Sequence, residues 1–85
     1  MQISVDISLY PLRIAGYEQP IHDFIDALEK EPDVEVVRNE LSTQVHGDYA
    51  IIMQLLQKEI GTVFDLLPDS VFVLKIVGNN RKGIF

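Results

Sequence analysis

The chain has 85 residues, with 7 Lys and Arg against 13 Asp and Glu, for a formal net charge of −6. That length is one small domain, and that charge is the wrong sign for general binding to nucleic-acid phosphates or to an anionic membrane surface. Cysteine is absent, which excludes disulfides, thiol catalysis and zinc–thiolate sites.

Residues 2–10 alternate strictly. Ile3, Val5, Ile7 and Leu9 point one way, and Gln2, Ser4, Asp6, Ser8 and Tyr10 the other. This is the period of a strand with one buried face, and Pro11 ends it. The same stretch has neither a basic start nor a continuous apolar run, so it is not read as a signal peptide. No apolar run reaches the ~20 residues of a membrane span, and the expected location is cytoplasmic. Pro20 then suits a first helical turn. Ile21, Phe24, Ile25 and Leu28 follow at helical spacing as one apolar stripe, which Pro32 terminates. Residues 33–38 read as a second strand and 41–46 as a third, joined by a tight turn at Asn39-Glu40. Gly47 is expected to break the strand, and Asp48 to cap a second helix. That helix carries Tyr49, Ile52, Met53, Leu56, Ile60, Val63 and Leu67 on a broad apolar side and stops at Pro68-Asp69. Residues 70–77, nearly all apolar, predict a last strand that is central or buried on both faces.

The order is β-α-β-β-α-β. With right-handed crossovers, it predicts an α+β ferredoxin-like plait, a four-stranded antiparallel sheet with two helices on one face. The fold hosts many functions and specifies none.

Alternation also drafts the face that the helices leave bare. It carries Gln2, Ser4, Asp6, Ser8 and Tyr10 from the first strand and Ser42, Gln44 and His46 from the third. The last strand adds Val71, Val73, Lys75 and Val77. Asp6 and Lys75 fall on neighbouring strands. Three valines beside hydroxyls and a carboxylate read as a face covered either by a second copy or by a ligand. Chemistry beyond binding has little support. His22 and His46 lack metal-ligand spacing, and no phosphate loop or nucleophile signature is present. Neither an enzyme nor a cofactor is expected.

Three pieces, ISLYPL at 7–12, STQVHGDYAIIM at 42–53 and LKIVGNNRKG at 74–83, together resemble the thiamine-binding family typified by YkoF and by small single-domain relatives. The resemblance covers nearly the whole chain. It implies the same plait and assembly as a homodimer or homotetramer. It also implies non-catalytic binding of thiamine or its hydroxymethylpyrimidine part in vitamin salvage or transport. Carried onto this chain, the ligand would lie against the first and third strands. Asp6, Ser8 and Tyr10 would bound it on one, and Asn39, Ser42 and Thr43 on the other. The basic pair Arg81-Lys82 corresponds only loosely to an arginine at the family's strand end. The competing expectation is an ACT-like regulatory or structural module that self-associates and binds another ligand or none.

Overall fold

The computed structural model describes residues 1–12, 16, 18–39 and 41–80. Its elements follow the expected order. They are β1 (Gln2–Tyr10), α1 (Glu18–Glu29), β2 (Val34–Arg38), β3 (Thr43–Asp48), α2 (Tyr49–Leu66) and β4 (Val71–Val77). The four strands form one antiparallel sheet in the order β2-β3-β1-β4, the topology of the ferredoxin-like plait. Glu40 and the Arg81-Lys82 pair lie outside the described residues.

The core lies between the helices and one face of the sheet. Ile3, Val5, Ile7 and Leu9 from β1 and Val45 from β3 meet Phe24, Ile25 and Leu28 of α1 and Ile52, Leu56 and Val63 of α2. Each such side chain, fully buried, contributes roughly 1.5–3 kcal/mol, so the alternation of β1 is the main determinant of which way the sheet faces. α2 starts where Asp48 accepts hydrogen bonds from the backbone N–H groups of Ala50 and Ile51 at 3.0 and 3.4 Å. The Tyr49 N–H donates to the Met1 carbonyl at 2.8 Å. Three donors that a helix start leaves over are thereby satisfied.

Three expectations are corrected. Gly47 does not break a strand but lies within β3. A Cβ there would sit 3.2 Å from the Asp33 carbonyl oxygen and 3.4 Å from Val34, so a larger residue would press on its neighbours. The β2–β3 connection is wider than a two-residue turn. Asn39 N–H donates to the Ser42 carbonyl at 3.1 Å, and β3 begins only at Thr43. Finally, β4 is an edge strand, hydrogen-bonded to β1 alone among the described strands, and most of its residues are exposed. Phe72 is held edge-on against Phe24 and Phe64 with ring centroids 5.2 and 5.4 Å away. Its apolar run therefore reflects something other than a central position in this sheet.

Candidate binding site on the open sheet face

The register sets the open face residue by residue. Ser4 stands opposite His46 and Asp6 opposite Gln44 across β1–β3. On the other side of β1, Asp6 faces Lys75 and Ser4 faces Val77. Side chains directly opposite in an antiparallel pair share a face, so these polar groups gather on the side away from the helices.

They are not an ordinary solvated surface. His46 is 2 % exposed, and Ser4 and Gln44 are also buried. Buried polar groups need partners, and these have them. Ser4 Oγ lies 2.8 Å from His46 Nδ1, and His46 Nε2 lies 3.2 Å from Gln44 Oε1. The Gln44 carbonyl oxygen can only accept, so Nε2–H donates to it, while Nδ1 and the Ser4 hydroxyl share the second hydrogen bond. One strand position toward the hairpin, the Ser42 hydroxyl donates to Asp6 Oδ1 at 2.6 Å. These three hydrogen bonds form a floor along β1 and β3.

Above this floor is a cavity of about 380 Å³, lined by Ser4, Val5, Asp6, Ser42, Gln44, His46, Lys75 and Val77. Its volume lies at the lower end of the range for small-molecule sites. The lining offers a carboxylate, an amide with both donor and acceptor, an imidazole, hydroxyls and an ammonium, with Val77 as apolar wall. Such a set can orient a small heterocycle by complementary hydrogen bonds. Among the described residues, no three metal-ligating side chains cluster.

The six residues expected at a site separate on this geometry. Asp6 and Ser42 line the cavity and touch each other. Ser8 and Tyr10 follow along the same face of β1, opposite Val73 and Val71. They belong to a smaller crevice of about 150 Å³ near the hairpin end, which Ser42 and Thr43 also line. Thr43 stands opposite Ile7 and is buried on the helix-covered side, so the sheet separates it from the larger cavity. The Asn39 side-chain oxygen accepts from the N–H groups of Leu41 and Ser42 at 2.8 and 2.7 Å, which makes Asn39 the organiser of the hairpin turn. Ser4, Gln44, His46 and Lys75 were missing from the expected set, although the alternation that placed Asp6 and Ser42 on the open face places these there too.

No known family profile matches the chain, and no curated protein matches it in sequence. Solved structures do match in fold. A Streptococcus pneumoniae protein superposes with a TM-score of 0.84 at 20% identity, over 99% of this chain and 93% of that one. A Thermotoga maritima protein provisionally assigned to thiamine biosynthesis or salvage gives 0.79 at 18% identity, over 89% and 82%. A Bacillus cereus domain of unknown function, DUF77, gives 0.76 at 13% identity, over 99% and 82%. At these identities the likeness establishes a shared fold. Among the described residues, no helix is long and apolar enough to cross a membrane.

Proposed function

We propose that this chain is a non-catalytic, cytoplasmic binding protein for a small nitrogen heterocycle, thiamine or its hydroxymethylpyrimidine part, held in the open-face cavity of a homodimer or homotetramer. The observation that carries the reading is the buried polar row Ser4, His46, Gln44 under a cavity walled by Asp6 and Lys75. Burying such groups costs free energy unless hydrogen bonds compensate; the row satisfies itself through Ser4, His46 and Gln44 and offers a polar ring hydrogen-bonding groups already fixed in place. An aminopyrimidine presents an exocyclic NH₂ donor beside ring-nitrogen acceptors. The Asp6 carboxylate accepts from the amine, and the Gln44 amide and Lys75 donate to ring nitrogens. The Thermotoga maritima neighbour provisionally assigned to thiamine biosynthesis or salvage and the resemblance carried by residues 7–12, 42–53 and 74–83 support the same ligand class.

Calorimetry with thiamine, its pyrimidine half and its thiazole half tests this. Binding of the pyrimidine-bearing ligands is expected, accompanied by a rise in melting temperature that grows as ln(1 + [L]/Kd). Gln44→Ala and Ser42→Ala each remove a hydrogen-bonding group from the cavity. The cost is about 1–3 kcal/mol, or roughly five- to 150-fold in Kd. Thr43→Val, on the other side of the sheet, leaves Kd unchanged. No heat with thiamine or its pyrimidine half at millimolar concentration overturns the reading. The ACT-like self-associating module then takes its place, favoured by the exposed apolar strand β4.

A further inference from the structure

The helix layer holds a second cleft, remote from the open sheet face. It is a cavity of about 260 Å³ between α1 and α2. Buried Phe24 and Val63 and half-buried Ala27 line it, and Leu66, 75% exposed, carries the apolar surface out to solvent. Each helix adds one carboxylate to this lining, Asp23 from α1 and Glu59 from α2. The Glu59 side chain is only 14% exposed, while the Lys58 ammonium stands 4.0 Å from it on a side chain that is 78% exposed. An ion pair that long and that open contributes little, so the Glu59 carboxylate is weakly compensated. No basic residue occupies the last turn of α2, where the carbonyl end of a helix favours one. Asp65 stands there instead.

We propose that this interhelical cleft docks a basic amphipathic helix of another protein, which inserts an apolar side chain beside Phe24 and Val63 and sets lysine or arginine against Asp23 and Glu59. The volume lies below the ~300–1,000 Å³ of small-molecule sites, which suits one anchoring side chain of a larger partner. The spacing suits a helix. Asp23 and Ala27 lie one turn apart on α1, and Glu59 and Val63 one turn apart on α2, so charge and apolar surface alternate along the groove at the helical repeat. A helix with a cation and an apolar residue three or four positions apart matches both, which is the pattern of helix-in-groove recognition. The sign of the charge disfavours the other occupants. A second copy carries −6 itself and, cleft to cleft, would set Asp23 and Glu59 against like charge. A nucleic acid or an anionic membrane is repelled in the same way. The inference concerns the helix layer and does not depend on what the open sheet face binds.

Nuclear magnetic resonance titration of the full chain with synthetic peptides tests it. The probe is a peptide of about 18 residues, long enough to form a helix, with leucines at helical spacing and lysines on the remaining face. A second peptide carries the same residues in scrambled order. The amphipathic peptide is expected to shift the amides of Asp23, Ala27, Thr62 and Leu66 and to leave those of Asp6 and Ser42 in place. Leu66→Lys changes an exposed position and is expected to raise Kd at least about tenfold, with the circular dichroism of the folded protein retained. Glu59→Gln should raise it about threefold, whereas Asp33→Asn, which removes one charge outside the cleft, leaves it unchanged. No shift at millimolar peptide overturns the proposal. So does equal affinity for the scrambled peptide, since charge alone then accounts for binding. Shifts that map to the open sheet face, or a Kd that neither Leu66→Lys nor Glu59→Gln alters, overturn it as well. A cleft filled by a second copy would show as a dimer in sedimentation that Leu66→Lys dissociates, and that too would overturn it. Calorimetry with thiamine reports on the sheet face separately.

Discussion

At the scale of single residues, two side chains separate what is legible from what is not. His46 and Thr43 are three positions apart on one strand. Alternation alone sends His46 to the open face, where it meets Ser4 and Gln44, and sends Thr43 to the helices. A site list guided by resemblance crosses that alternation, because a motif matches consecutive residues while a strand divides them between two environments. Asn39 was ambiguous for another reason. Its amide can contact a ligand or hold a turn, and only the position of the Leu41 and Ser42 N–H groups decides. Asp48 is the residue whose role is plainest from sequence, and its ionisation has a consequence. Its hydrogen bond to the Met1 ammonium, and those to the helix N–H groups, hold its carboxyl below the ordinary carboxylate range. A depressed pKa in the folded state means that the carboxylate's contribution is complete above the unfolded pKa and is lost as pH falls through the folded one. Asp48→Asn keeps the capping oxygen but cannot be protonated in that range. Stability measured by urea unfolding should therefore fall less steeply below about pH 4 in Asp48→Asn than in the wild type. Parallel acid limbs would show that the ionised cap contributes nothing.

At the scale of elements, periodicity located all six, because one-sided burial leaves period 2 in β1 and period 3.6 in α1 and α2. It failed at β3 and β4 for physical reasons. Gly47 carries no side chain and so looks like an interruption, yet it lies within β3, where a Cβ would press on the Asp33 carbonyl oxygen at 3.2 Å. Gly47→Ala is expected to cost roughly 1–3 kcal/mol by overpacking, seen as a lower urea midpoint with an unchanged slope. A stability equal to wild type would mean that β2 can move aside. β4 misleads in the opposite direction. A run of apolar residues marks burial on both faces, but it does not say which chain does the burying. A central strand and an edge strand covered by a second molecule have the same sequence signature, and only the sheet order β2-β3-β1-β4 distinguishes them.

At the scale of the whole molecule, the charge that excluded nucleic acids gives assembly and ligand binding opposite responses to salt. Two copies, each carrying −6, would sit with centres near the middle dimension of 24 Å. Their repulsion in water would be about 6 kcal/mol unscreened. With Debye lengths of about 30 Å at 0.01 M and 10 Å at 0.1 M, it falls to roughly 3 and then to about 0.6 kcal/mol. Raising salt over that range should strengthen the dimer by up to about 2 kcal/mol, or roughly thirtyfold. Apolar contacts lose nothing to screening. A cationic ligand such as thiamine is instead drawn by the same negative field, and its affinity should weaken over the same range. Sedimentation equilibrium and calorimetry across one salt series read both slopes. A dimer that dissociates as salt rises would point to an interface held by ion pairs rather than by exposed apolar residues such as Val73, Leu74 and Ile76.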